Sequence, residues 1–331
     1  MDRTSLMGHA PAPPGAGAFL QARGERHLLG LEGVPPESLL NLLDSARRYR
    51  EKLRTPRWCS DELRGVTVCN AFFEDSTRTR VSFELAEQRL GAMHTTFAAS
   101  GSSLSKGETM LDTLRVLTAM RVDLVVVRHR SAGSPAFLAR HLDAGIINAG
   151  DGEHEHPTQG LLDLLTLADA WNGRFEGKRL AIVGDIAHSR VARSAIFGLT
   201  ALGATVVIAG PPTLIPADAE SLGCTRAGTV EEAMRGADGV MALRLQRERM
   251  ESGLLASLGE YARVWGIHRE RMGLMRPGAV VLHPGPMNRG VEIAPDVADG
   301  CESRVFMQVE NGLAVRCAVL AHCAATLGEV S

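Results

Sequence analysis

A chain of 331 residues exceeds what one ordinary core organises, so two domains of about 150 residues each are expected. With 45% hydrophobic, 22% charged and only 4% aromatic residues the composition is globular, and no apolar run reaches the ~18 residues of a membrane span. A net charge of -2 argues against general nucleic-acid binding, which takes a basic surplus, but leaves open small anions captured by local arginines.

Residues 8–18 (GHAPAPPGAGA) are Gly, Ala and Pro without periodicity, which predicts a flexible leader over residues 1–24. The spacing of Leu39, Leu40, Leu43 and Ala46 predicts an amphipathic helix over 37–52. Residues 66–73 are apolar and β-branched, a buried strand, followed by a helix over 79–90. VDLVVV (122–127) is a second buried strand, and 161–170 repeats leucines at helical spacing. A second unit opens with a strand at 179–183, a helix over 191–202 and the strand ATVVIAG (204–210). Strands at 239–243 and 279–282 follow, and 312–327 closes as a helix. Alternating β and α in both halves predicts an α/β protein of two domains, each with a central parallel sheet flanked by helices. Six cysteines without a CxxC pair read as free thiols, and no apolar stretch follows the N-terminal charges, so a cytoplasmic location is expected.

The strongest local signal is Ser76-Thr77-Arg78-Thr79-Arg80, between the strand VCNAFFE and a helix. A helix N-terminus offers unpaired N–H groups and partial positive charge, the hydroxyls add donors, and Arg78 adds a planar fork for phosphate oxygens. Plain N-capping is the alternative, but it needs one hydroxyl and gives no reason for two arginines opposing the helix dipole.

FFEDSTRTRVSFE resembles the carbamoyl-phosphate signature of the aspartate/ornithine carbamoyltransferase family. Further matches follow in family order: SSLSKGET, VVVRHR, NAGDGEHEHPTQ, GDIAHSRVARS, LRLQRER and LHPGPMNRGVEI, so the resemblance spans the chain from about residue 25. It implies a carbamoyl-phosphate domain over 25–171, to which a C-terminal helix (308–331) returns, and an amino-acid domain over 172–307. The HCLP-type and SMG segments of the ornithine enzymes are missing, which favours L-aspartate as the carbamoyl acceptor, in pyrimidine biosynthesis.

By the same resemblance, Ser76, Thr77, Arg78 and Thr79 form the phosphate cradle. Arg128 reaches phosphate and carbonyl oxygen; taken alone, it reads equally well as an arginine snorkelling from a strand end. His156 hydrogen-bonds the carbonyl oxygen and Gln159 orients the carbamoyl NH2. Arg190 and Arg244 clamp the two carboxylates of aspartate, with Gln246 as a further contact, although LRLQRER read alone could be a solvated loop. Ser105 and Lys106 lie on a loop that in the family crosses into a neighbour's site, implying a homotrimer with shared active sites. The backbone at Gly285 and Pro286 supplies acceptors; the family commonly has leucine at the Gly285 position. The NRGVEI segment is similar to members that assemble with dihydroorotase. Asp151, Glu153, His154, Glu155 and His156 raise a metal site as a rival, but an exposed acidic loop accounts for Glu153, His154 and Glu155 more simply. GDIAHSR lacks the G-x-G-x-x-G glycines, which excludes a dinucleotide turn. The resemblance implies neither a metal nor an organic cofactor.

Overall fold

The computed structural model describes residues 26–98, 108–245 and 257–328. The first half runs α1 (Pro36–Arg54), β1 (Thr67–Phe72), α2 (Thr77–Leu90), β2 (Met93–Ala98), α3 (Met110–Ala119), β3 (Leu124–His129), α4 (Ser134–His141), β4 (Gly145–Asp151) and α5 (Pro157–Ala170). The second continues with β5 (Arg179–Val183), α6 (Arg190–Ala201), β6 (Thr205–Ala209), β7 (Thr225–Arg226), α7 (Val230–Met234), β8 (Gly239–Ala242) and α8 (Leu258–Trp265). It ends with α9 (Arg269–Met272), β9 (Val280–Leu282), α10 (Pro295–Ala298) and α11 (Val305–Ala325).

Two parallel sheets result, in the orders β2-β1-β3-β4 and β7-β6-β5-β8-β9. The expectation of two parallel-sheet α/β domains therefore holds. The central strands are apolar on both faces because helices cover both sides of each sheet. Strand β5 falls on the expected residues, whereas β3 starts at Leu124 rather than 122 and runs on to include Arg128.

Pro36 opens α1, where a missing N–H costs nothing, and Lys52 and Arg54 in its last turn favour the negative end of the dipole. Its buried stripe is Leu39, Leu42, Leu43, Ala46 and Tyr49. Leu40, expected in that stripe, is instead 42% exposed, because it lies a third of a turn off the buried line. Helix α11 begins at Val305, ahead of both the predicted helix start at 312 and the predicted return at 308. Its first turn carries Phe306, which is 82% exposed, so no apolar periodicity marks the true start. The helix packs on α1, α2 and α5 and thus brings the chain back onto the first sheet's helices.

Candidate functional site

In parallel α/β sheets ligands bind beyond the carboxyl ends of the strands, and every predicted site residue among those described lies at or just after such an end. Ser76–Thr79 follow β1, Arg128 sits near the end of β3, and His156 and Gln159 follow β4. Arg190 follows β5, Arg244 follows β8, and Gly285 and Pro286 follow β9. All of them line one cleft of about 980 Å³ between the two sheets. Ser105, Lys106 and Gln246 lie outside the described residues.

Ser76 occupies the N-cap position of α2 in extended conformation, yet its side chain makes no capping hydrogen bond. Among the described residues nothing engages the Thr77 or Thr79 hydroxyl either, and the first turn of α2 contains no acid. Capping alone does not account for this hydroxyl cluster. Burial, and then the nearby charge of Arg244, lower the Arg78 pKa. The guanidinium is thus held at the cleft beside a second positive charge, an arrangement that favours an anion.

Arg128 and Arg190 converge. Arg128 Nη2 lies 3.3 Å from Glu74 Oε1, and Arg190 donates to both oxygens of Glu74, from Nη1 to Oε2 at 3.1 Å and from Nη2 to Oε1 at 3.0 Å. Arg128 Nη1 also donates to the Ala149 carbonyl at 3.2 Å. The backbone beneath them is Gly150, at φ +116°, where an added Cβ would stand 2.9 Å from Arg190 Nε and 3.2 Å from Arg128 Nη1. A side chain there would drive the two guanidinium groups apart. The snorkelling alternative for Arg128 does not hold, since its head is directed into the protein.

The segment after β4 is not an exposed acidic loop. Glu155 is fully buried and accepts from Leu31 N at 2.8 Å, Glu32 N at 3.1 Å and Ser194 Oγ at 2.8 Å. His154 pairs with the buried Asp151 at 3.1 Å. Glu153 is exposed, and Gly152 and His154 are partly so. Burial raises the Glu155 pKa, and its three donors and His154 pull it down. Such donors, not a cation, satisfy this carboxylate, and no group of three or more potential metal ligands occurs among the described residues.

His156, at the N-cap of α5, is buried, and its backbone N–H donates to Ser194 Oγ at 2.9 Å. Its Nδ1 is buried with no hydrogen-bond partner. Burial first, then the charges of Arg128, Arg190 and Arg316, push its pKa well below the usual histidine range. It is therefore a neutral imidazole with unused hydrogen-bonding capacity facing a cationic cleft. Across the cleft, Gly285 N donates to His283 Nδ1 at 2.7 Å, so the proton of that ring sits on Nε2, 3.1 Å from Glu292 Oε1. Gly285, at φ +61°, lets Arg78 close in: a Cβ there would lie 2.2 Å from Arg78 Nη1.

With this geometry established, similarity to known proteins is decisive. Residues 26–169 match the carbamoyl-P binding domain of the aspartate/ornithine carbamoyltransferases, and residues 176–323 match their Asp/Orn binding domain. The chain belongs to the aspartate/ornithine carbamoyltransferase family. Within it, the chain is 55% identical over 296 residues to an aspartate carbamoyltransferase catalytic subunit of Gluconobacter oxydans, covering 89% of this chain and 94% of that one. It is 54% identical over 308 residues to the corresponding subunit of Magnetococcus marinus, covering 90% and 92%. Among solved structures, the Trypanosoma cruzi aspartate transcarbamoylase in complex with carbamoyl phosphate and aspartate aligns with a TM-score of 0.80 at 30% identity, covering 89% and 96%. The ornithine carbamoyltransferase of Thermus thermophilus aligns at 0.78 with 27% identity, covering 90% and 98%.

For this family member, motif reading passed over two residues that shape the cleft. Glu74 stands inside FFEDSTRTR, and its bridging role depends on Arg190, which is 116 residues away in sequence. Arg316 is a buried arginine in α11 that donates from Nη1 to the Gly312 carbonyl at 2.8 Å and lies over the Phe83 ring at 5.2 Å. Burial lowers its pKa to about 10. A charged residue inside the apolar run GLAVRCAVL was the available signal.

Proposed function

We propose that this chain transfers the carbamoyl group of carbamoyl phosphate to the amine of L-aspartate, giving N-carbamoyl-L-aspartate and phosphate for pyrimidine biosynthesis. One observation carries the reading: an unengaged hydroxyl cradle, four arginines and a neutral, underused histidine converge on a single cleft. Ser76, Thr77, Arg78 and Thr79 hold the phosphate, and Arg128 spans phosphate and carbonyl oxygen. Arg190, Arg244 and Gln246 take the carboxylates of aspartate, for which bidentate arginine pairing gives geometric selectivity. The amine lone pair attacks the carbonyl carbon, forming the C–N bond and a tetrahedral oxyanion. Thr79, Arg128 and a ring N–H of His156 stabilise that charge, each donor worth ~3 kcal/mol. The C–O bond to phosphate then breaks, and the leaving phosphate takes the amine proton. Gln159 and the Gly285–Pro286 backbone hold the carbamoyl NH2. Holding two anions together supplies much of the acceleration.

The domain boundaries we propose are 25–171 for carbamoyl phosphate and 172–307 for aspartate. The homotrimer is also part of the reading, with Ser105 and Lys106 of a neighbour completing each site. Mixing inactive Arg78→Ala and Lys106→Ala trimers after subunit exchange should then restore activity, and no recovery would sink the shared site. We further propose dihydroorotase as a partner and a cytoplasmic setting; native extract that yields no dihydroorotase on co-purification would refute the partner. Among the described residues no helix is long and apolar enough to cross a membrane. The activity itself is tested by offering carbamoyl phosphate with L-aspartate or L-ornithine. Product from aspartate is expected; product from ornithine alone would overturn the acceptor, and product from neither would overturn the activity.

A further inference from the structure

Asp163 lies one turn beyond Gln159 on α5 and is 1% exposed. Its Oδ1 accepts two amide donors, Gln159 Nε2 at 3.0 Å and Gln308 Nε2 at 2.7 Å. Its Oδ2 is buried with no hydrogen-bond partner. A carboxylate only accepts, so each glutamine must turn its NH2 towards Asp163 and its carbonyl oxygen away. For Gln308 the consequence is visible: its Oε1 receives the backbone N–H of His283 at 3.0 Å. His283 in turn fixes Gly285 through the 2.7 Å bond to its Nδ1. For Gln159, which lines the cleft, no described donor reaches the carbonyl oxygen, and it is left to accept from a ligand.

We propose that Asp163 is the positioning residue that fixes amide polarity on both walls of the cleft, aligning Gln159 directly and the 284–286 turn through Gln308 and His283 as acceptors for the substrate's carbamoyl NH2. This rests on the carbamoyl-transfer reading above. Asp163 touches no reacting atom; it acts by deciding which end of each amide its neighbours present. The reversed amide would direct an NH2 at the carbamoyl NH2, two donors facing each other without an acceptor. Burial raises the Asp163 carboxyl to about 7, while the Gln308 and Gln159 donors pull it down, so the acceptor-only form prevails above neutrality.

Carbamoyl phosphate, acetyl phosphate and inorganic phosphate share the phosphate group, and only the first carries an NH2. Their binding to the full-length protein, measured by calorimetry, separates alignment from general damage. Asp163→Ala should weaken carbamoyl phosphate by ~10–100-fold while leaving acetyl phosphate and phosphate within ~2-fold. Gln308→Met, which keeps α5 intact, should give the same pattern at ~3–10-fold and serves where Asp163→Ala does not fold. Equal weakening of all three ligands, or unchanged preference for carbamoyl phosphate, overturns the positioning role. A wild-type protein that prefers carbamoyl over acetyl phosphate yet forms no N-carbamoyl-aspartate would overturn the activity and not the alignment.

Discussion

The two walls of the cleft are built on opposite principles. On the β1 side, Ser76, Thr77 and Thr79 keep their hydroxyls unengaged, and Arg78 has no carboxylate partner among the described residues. On the β9 side, the 283–286 turn is bonded throughout: Gln308 holds the His283 N–H, His283 holds Gly285, and Glu292 takes both His283 Nε2 and Asn288 N. Under the proposed reaction the wall that would receive the dianion is left open, whereas the wall that would present backbone carbonyls is held by its neighbours. The first stores binding capacity and the second stores geometry, and substitutions should separate the two.

The largest effect expected is at Arg78→Ala, a loss of about 10²–10³ in kcat/KM with Tm little changed, because that guanidinium has no hydrogen-bond or ion-pair partner among the described residues. A large fall in Tm would erase the contrast between the walls. His283→Ala should do the reverse first, destabilising by roughly 1–3 kcal/mol in chemical denaturation, since it removes the acceptor of the part-buried Gly285 N–H and one of the donors to the buried Glu292 carboxylate. Helix α2 repeats the contrast along its own length. Its N-terminus is open, while Glu87 near its other end is fully buried and takes both hydrogen bonds from Asn70 Nδ2, at 3.1 and 2.8 Å. Burial pushes Glu87 up to about 8 from 4.5. Between those values the folded chain holds a proton that the unfolded chain releases, so stability falls as pH rises through that window. Glu87→Gln should remove on the order of 1–3 kcal/mol of that decline, read as a flatter Tm between pH 5 and pH 9 on the scale set by linkage. The smallest effect concerns Ser76→Ala: a working cap would cost about 1 kcal/mol, but here only a few tenths are expected, alongside weaker phosphate binding.

The strands rich in β-branched residues were legible because a doubly covered parallel strand must be apolar on both faces, and β5 shows this end to end. β2 was not legible: MHTTFA is half polar because it lies at the sheet edge. β4 was missed for another reason. GIINAGD carries glycine where Arg190 and Arg128 close in, and its Asn148 is used internally, donating to Leu29 O and Asp151 Oδ1, each at 2.8 Å. That Ser76–Thr79 and the arginines Arg128, Arg190 and Arg244 would share one cleft was readable from motifs, since each follows or ends a strand. From sequence alone Glu155 reads as solvated, because its donors come from Leu31 and Glu32, more than a hundred residues away, and from Ser194, 39 residues on, and adjacency of acids in sequence says nothing of such partners. Asp163 escaped notice for the same reason, half of its pairing being with Gln308.

Glu155 also sets a limit on how far the chain can be shortened. It ties residues 31 and 32 to the β4–α5 connection and to α6, and just upstream Leu28 exchanges backbone bonds with Ile146 and Asn148 at 2.9 and 2.8 Å. Trimming up to residue 25 removes none of these anchors. Trimming past residue 32 would leave the buried Glu155 carboxylate with Ser194 as the one remaining of its donors Leu31, Glu32 and Ser194, at the seam where the two sheets' helices meet, so shortening is expected to become costly within a few residues of Arg26.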